Sequence, residues 1–242
     1  MNLCIDIGNT KSKIALFQGD KIIEKWSRKN VSVNWLEKEL KAFEISAAII
    51  SNTRSINEEV RAYLSERCHF IELDHTTKLP FKNHYATPET LGRDRIAVVC
   101  AAQSLYPKEN VLVIDAGTCI TYDAISKEGD YYGGSIHPGL TMRFKALNNY
   151  TGKLPLVAKQ PMKNLVGDTT ENAILAGVAY ATIKEMEGML HDYKVKFGEL
   201  IVIISGGDAS FFVSQMKSKI FAHSNLVLLG LNKILKYNVE KL

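Results

Sequence analysis

Asp6-Ile7-Gly8-Asn9-Thr10 near the start of the chain has an echo in Asp115-Ala116-Gly117-Thr118, with residues 6 and 115 lying 109 apart in a chain of 242. Each follows an apolar, β-like run, Met1 to Ile5 and then Val111 to Ile114. Each leads into a second such run, Ile14 to Gln18 and then Ile120 to Ile125. One Asp-x-Gly turn constrains little, because Asp and Gly are ordinary turn residues. Two of them, in the same context and at half-chain spacing, imply a duplicated unit with one acidic, glycine-bearing hairpin per copy. Such a pair can clasp a phosphate and its metal ion between two lobes, so the chain reads as a candidate ATP-handling enzyme.

The flanking patterns repeat as well. In the first half, strands are expected at Asn2 to Ile7, Ser12 to Phe17 and Ile22 to Ser27, with Gln18-Gly19-Asp20 as a tight turn. A helix over Val33 to Phe43 follows from the spacing of Leu36, Leu40 and Phe43. Then come a buried strand at Ala47 to Ser51, a helix near Ile56 to Cys68 and a strand near Phe70 to Leu73. In the second half, the strands are Val111 to Asp115, Cys119 to Ile125 and Asp130 to Ile136, with a turn at Lys127-Glu128-Gly129. Helices are expected over Leu140 to Leu147 and Thr170 to Lys194, with the strand Leu200 to Ser205 matching Ala47 to Ser51. Phe211 to Met216 and Leu226 to Tyr237 read as helical. The helix Arg93 to Leu105 links the halves and ends before Pro107. Two meanders, each followed by alternating helices and strands, predict an α/β protein with a mixed sheet and flanking helices in each lobe. The division expected is 1–110 and 111–242, the linking helix going with the first lobe. The competing arrangement, a single doubly wound domain, lacks its usual nucleotide signatures, since neither Gly-x-Gly-x-x-Gly nor Gly-x-x-x-x-Gly-Lys-Ser/Thr occurs.

Composition excludes several classes of function. Lys and Arg total 30 against 26 for Asp and Glu, a net charge of only +4 with no long block of like charge. Nucleic-acid binding is therefore not suggested, whereas an anionic small substrate suits a slightly basic cleft. Cys4, Cys68, Cys100 and Cys119 are widely spaced, which favours reduced thiols over disulfides or zinc ligands. No signal peptide and no membrane-spanning run is visible, and a cytoplasmic protein is expected.

Phosphoryl transfer needs oriented donors for phosphate oxygens, a metal ion, and a base near the attacking hydroxyl. Gly8 lets backbone N–H groups approach a phosphate, and Asn9, Thr10 and Lys13 can add side-chain donors. Asp6 suits magnesium, usually through water, although a turn carboxylate bonded to its own backbone is the plainer role for a lone copy. Asp115, with Gly117 and Thr118, is placed alike in the second copy. Two carboxylates near one polyphosphate require cations between them, and residue chemistry alone leaves open whether the ion at Asp115 is divalent or monovalent. Gly92-Arg93-Asp94-Arg95 opens the linking helix. It offers an ionised carboxylate flanked by guanidinium groups, yet an acidic residue at a helix start is commonplace, and the tetrapeptide alone favours a solvated helix end. Gly133-Gly134-Ser135-Ile136-His137-Pro138-Gly139 is a glycine-rich entry to a helix, suited to an anion. His137 has no acidic neighbour in sequence, so a structural role outweighs a catalytic one. Ser205-Gly206-Gly207-Asp208 suits a nucleoside lying against backbone, and Thr169-Thr170 offers paired hydroxyls that either cap a helix or meet a ligand.

Five of these motifs, Asp6-Ile7-Gly8-Asn9-Thr10, Gly92-Arg93-Asp94-Arg95, Asp115-Ala116-Gly117-Thr118, Gly133-Gly134-Ser135-Ile136-His137-Pro138-Gly139 and the threonine before Ala176-Gly177, in this order and over nearly the whole chain, resemble those of the type III pantothenate kinases. That family lies within the superfamily of acetate and sugar kinases, actin and the heat-shock chaperone ATPases. The resemblance implies two duplicated ribonuclease H-like (actin-like ATPase) lobes and transfer of the ATP γ-phosphate to the primary hydroxyl of pantothenate, the first step of coenzyme A synthesis. It assigns ATP phosphates to Asp6, Ile7, Gly8, Asn9, Thr10, Lys11, Ser12, Lys13 and Thr118. It makes Asp94 the proton acceptor, against the reading of the tetrapeptide alone, and gives pantothenate to Tyr85, Gly92, Arg93, Asp94, Arg95 and Thr170. Asp115 takes a monovalent cation, potassium or ammonium, and Asp6 serves magnesium. A homodimer whose substrate pocket borrows residues from the partner is also implied. Cys119, after Gly117-Thr118, and Asp168-Thr169, before Thr170, depart from the family pattern without removing a named role. Two further readings are a non-catalytic regulatory accessory protein and an actin-like or chaperone ATPase. The intact Asp6, Asp94 and Asp115 argue against the first, and the chain length argues against the second.

Overall fold

The structure is a computed structural model and describes residues 1–8, 10–52, 57–161 and 164–239. The chain groups into two compact units, Met1–Pro107 with Gly129–Tyr132 and the C-terminal segment from Asn225, and Lys108–Glu128 with Gly133–Ser224.

In the first unit, β1 (Asn2–Ile7), β2 (Ser12–Gln18) and β3 (Lys21–Arg28) form an antiparallel meander. Gly19 turns between β2 and β3 with φ +61, a backbone conformation that glycine adopts without steric cost. β4 (Ala47–Asn52) and β5 (His69–Glu72) then add in parallel to the other side of β1, giving the order β3-β2-β1-β4-β5. Because β1 and β4 are central, their runs are apolar on both faces, and Leu3, Cys4, Ile5, Ala48, Ile49 and Ile50 are all buried. Helix α1 (Val33–Leu40) is capped by the Ser32 hydroxyl, which accepts from Trp35 N, and buries Leu36 and Leu40 on the sheet. Helix α2 (Glu58–Arg67) is capped by Asn57 and carries Glu58 and Glu59 in its first turn, the sign that the helix dipole favours. The helix expected near Ile56 to Cys68 is thus seen from Glu58, and Ile56 lies outside the described residues.

The second sheet repeats the first. β7 (Val111–Ala116) and β8 (Cys119–Ile125) pair antiparallel, and β10 (Ile201–Ser205) and β11 (Phe221–Ala222) add in parallel beyond β7. With β9 (Asp130–Pro138) beside β8, the order β9-β8-β7-β10-β11 matches β3-β2-β1-β4-β5 strand for strand. The duplication inferred from the paired Asp-x-Gly turns is present in the hydrogen-bonded topology. A further short strand, β6 (Lys82–Asn83), pairs with the start of β9 at Asp130 and Tyr131. Leu112, Ile114, Tyr122, Phe144, Ile174, Met186 and Phe212 build the core of this unit.

Helix α3 (Arg93–Leu105) begins and ends where the sequence predicts, and Ile96 to Ala102 are buried on every side, as an all-round apolar helix requires. Its partner is α8 (Leu226–Val239). An even division at residue 110 assigns that helix to the second lobe, whereas its contacts group it with the first unit. The physical reason is packing: a Cβ at Gly230 would stand 1.8 Å from the Ala97 carbonyl oxygen, so the absence of a side chain lets the two helices touch. Polar ties hold the same docking, with Asn232 donating to Gly19 O and Lys233 and Lys236 both reaching Asp20. The second unit also contains α4 (Leu140–Asn149) and α5 (Thr170–Leu175). The single helix expected over Thr170 to Lys194 is broken by a π-helical turn at Ala176–Tyr180, then resumes as α6 (Ala181–Phe197). The helix expected at Phe211 to Met216 is the shorter α7 (Ala209–Val213). No helix among the described residues is long and apolar enough to cross a membrane.

Candidate active site

Each copy of the repeat ends its central strand on a carboxylate. Asp6 is the penultimate residue of β1, 7% exposed, in register with Ser51 on β4 and Lys13 on β2. Asp115 holds the same place on β7, in register with Ser205 on β10 and Thr121 on β8. The Ser51 and Thr121 hydroxyl oxygens are buried and have no protein hydrogen-bond partner. A buried polar atom left unpaired costs free energy, so each pair has a hydroxyl oxygen open to a water or a cation. Carboxylate and hydroxyl oxygens are the donors that hard cations take, and the residues present fit both a magnesium ion and a monovalent one. Among the described residues no three or more His, Cys, Asp or Glu side chains cluster as a metal site, so the other ligands of such an ion come from hydroxyls, phosphate or water.

The two hairpins differ in how they open. After Asp6, Ile7 is buried and a Cβ at Gly8 would lie 3.0 Å from the Lys11 carbonyl oxygen. Thr10 and Lys11 are exposed, Ser12 is buried and Lys13 is half-buried, while Asn9 lies outside the described residues. After Asp115, the Gly117 N–H donates to Cys119 O and Thr118 is exposed. The Thr118 carbonyl accepts from Gly139 N, and a Cβ at Gly139 would stand 2.3 Å from Gly117 O. Glycine at position 139 is therefore required for the loop before α4 to lie on the second hairpin. Gly206 closes on the same turn, with φ +95 and room for a Cβ only 2.2 Å from Ala116 O. Asp208, next in the Gly-Gly-Asp motif, pairs with Lys159, whose ammonium lies over the Phe211 ring.

At the head of α3, Gly92 is the N-cap and Asp94 sits in the first turn. The Asp94 carboxylate accepts from Arg95 N at 2.9 Å, and a Cβ at Gly92 would come within 2.6 Å of its Oδ1. The glycine thus makes room for the carboxylate. Arg93 turns back to donate to the Leu91 and Glu89 carbonyls, and Arg95 lies over the Tyr85 ring at 5.6 Å. Tyr85 follows β6, whose neighbour His84 bonds Asp130 at 2.7 Å and stacks on Tyr132. Tyr85 and the Gly92 to Arg95 turn are brought together within the first unit.

In the second unit, Thr169 is the N-cap of α5, its hydroxyl accepting from Asn172 N at 3.1 Å, which leaves the capping task to Thr169 and not to Thr170. Asp168 accepts from the Asn172 side chain, a bond that lowers its carboxyl pKa. His137 has the acidic partner that its sequence neighbourhood lacks: Nδ1 meets Glu185 Oε1 at 2.9 Å. Arg143 grips the same carboxylate with both terminal nitrogens, at 2.7 and 2.8 Å. The signal was out of reach of local reading because Glu185 lies on α6, remote from the loop in sequence. The four cysteines are free thiols.

Solved structures place this architecture. A protein of the Baf family of transcriptional activators from Campylobacter jejuni superposes with a TM-score of 0.62 over 98% of this chain and 99% of its own, at 23% identity. Glucokinase from an Antarctic psychrotroph gives a TM-score of 0.54 at 13% identity, covering 98% of each chain. At such identities the likeness concerns the fold alone, two α/β units of mixed sheet with flanking helices. The sequence narrows it further. The family model of type III pantothenate kinase matches residues 2–192. The type III pantothenate kinase of Christiangramia forsetii is 45% identical over 240 residues, 98% of this chain and 99% of that one. That of Bacteroides fragilis strain YCH46 is 46% identical over 239 residues, 98% of each. The chain belongs to the type III pantothenate kinase family.

Proposed function

We propose that the chain is an ATP-dependent pantothenate kinase, forming 4'-phosphopantothenate in the first step of coenzyme A biosynthesis. The observation that carries this reading is family membership over nearly the whole chain with Asp6, Asp94 and Asp115 all in place. The regulatory alternative has no comparable support.

In this reading, Asp94 accepts the proton of the primary hydroxyl as that oxygen attacks the γ-phosphorus. Asp94 stands in the first helical turn, and Gly92 leaves its outer face unobstructed by a side chain. Arg95, stacked on Tyr85, and Arg93 supply cationic donors for the pantothenate carboxylate, together with Gly92 and the hydroxyl of Thr170. Residues 6–13 and Thr118 serve the ATP phosphates, where Gly8 and Gly117 keep backbone N–H groups free of side-chain cover. Asp6, beside the unpaired Ser51 hydroxyl, would hold magnesium, which offsets phosphate charge when bound. Asp115, beside the unpaired Thr121 hydroxyl, would hold potassium or ammonium, which offsets charge at the second hairpin.

By sequence the actin-like halves are 1–110 and 111–242, although the contacts of α8 group it with the first unit. The working form is a cytoplasmic homodimer whose pantothenate pocket takes residues from the partner. The test is incubation of the purified chain with γ-labelled ATP and pantothenate, with and without potassium. Label transferred to pantothenate supports the reading; none under either condition overturns it.

A further inference from the structure

A second constellation, in the second unit, is not used by the phosphoryl-transfer reading. On β9, Ser135 and His137 stand two residues apart and so share one face of the strand. Ser135 Oγ lies 2.8 Å from His137 Nε2, and His137 Nδ1 lies 2.9 Å from Glu185 Oε1 on α6. Burial pushes the Glu185 carboxyl pKa up, but the hydrogen bonds and charges of Arg143 and His137 outweigh it and hold the group ionised. With a carboxylate gripped by Arg143 facing Nδ1 at 2.9 Å, the tautomer that suits this geometry carries its proton on Nδ1. That leaves the Nε2 lone pair to accept the Ser135 hydroxyl proton. Arg143 fixes the carboxylate bidentately while its Nε donates to Pro138 O at 2.8 Å. The Tyr122 ring meets the imidazole edge-on at 5.0 Å, which fixes the ring plane. A nucleophile within reach of a base, with the base oriented by a third group, is the arrangement that activates serine hydroxyls on unrelated folds.

We infer that Ser135 is a base-activated nucleophile that accepts an acyl group from activated esters, the class of aryl esters and thioesters. Ser135 Oγ bonds to the acyl carbon while its proton passes to His137 Nε2. The bond from that carbon to the leaving oxygen or sulfur then breaks, and the leaving group departs with the proton from Nε2. The imidazole returns neutral, and the acyl group remains on Ser135 as an ester. Activated donors are specified because a good leaving group lowers the demand for oxyanion stabilisation, the larger part of the work in amide cleavage.

The experiment treats the full chain with an alkyl fluorophosphonate, whose phosphorus stands in for the acyl carbon and whose fluoride leaves. Peptide mass spectrometry then locates the adduct. The expected result is a single adduct on Ser135 that is lost on heat denaturation and absent from Ser135→Ala. In His137→Gln the labelling rate should fall by roughly 10²-fold or more, the size of a lost general base. Circular dichroism of His137→Gln checks that it is folded, and the wild-type result stands on its own if it is not. No adduct on Ser135 in the folded wild type, or an equal rate in folded His137→Gln, overturns the inference.

Discussion

Thr121 stands directly opposite Asp115 across the β7–β8 pair, with its hydroxyl oxygen buried and unpaired by any protein group. Paired residues on neighbouring strands point to the same side, so the hydroxyl and the carboxylate form one small oxygen-lined station. Ser51 beside Asp6 is its counterpart in the first copy. In the proposed reading, a bound cation would repay the unpaired hydroxyl in each case.

The first prediction concerns that station. Thr121→Val keeps the side-chain shape and removes the oxygen. Potassium titration of kinase activity should show half-activation at a roughly tenfold higher concentration, in line with the loss of a group that supports a metal site. Melting temperature should hold or rise, since an unpaired buried hydroxyl is lost. An unchanged potassium response contradicts the assignment of the cation to Asp115 and Thr121.

Thr169 and Thr170 should separate cleanly. Thr169 caps α5, so Thr169→Val is expected to cost about 1 kcal/mol of stability, seen in urea denaturation, with little change in KM. Thr170→Val should leave stability near wild type and raise KM for pantothenate by roughly 10-fold, the size of one lost hydrogen bond. The reverse pattern would exchange their roles.

Glu185 gives a pH signature. Its folded pKa is depressed: burial raises it, but Arg143 and His137 lower it by more. A depressed carboxyl stabilises the fold fully above its unfolded value of about 4.3, and that contribution disappears as pH falls through the folded value. Denaturant titrations should therefore find wild type more stable than Glu185→Gln near about pH 7, with the gap closing towards about pH 3. A gap that is constant or widens on acidification contradicts the ionised Glu185.

Much of this was readable from sequence, for identifiable reasons. The buried parallel strands announce themselves as uninterrupted apolar runs, and α3 as an apolar stretch stopped by Pro107, so their limits agree with the structure within a residue or two. β6 and β11 have two residues each, too few to display a period. The return of α8 to the first unit depends on Gly230 meeting Ala97 from the far end of the chain, which no local pattern encodes. The site divides the same way. The Asp-x-Gly turns stand out because they are repeated. Asp94 does not, since an acidic residue at a helix start has an ordinary explanation in the helix dipole. Only the family resemblance singled it out. The Glu185 partner of His137 and the unpaired Ser51 and Thr121 hydroxyls are products of tertiary packing and strand register.

The most direct test is the turnover number of Asp94→Asn with ATP, pantothenate and potassium, beside wild type. Asparagine keeps an oxygen to accept from Arg95 N, so the helix start is retained while the proton acceptor is lost. The account predicts that wild type yields 4'-phosphopantothenate and that the variant's kcat falls by roughly 10²–10⁴-fold. Undiminished turnover in the variant would contradict Asp94 as the proton acceptor, and no phosphorylated product from wild type would contradict the kinase assignment itself.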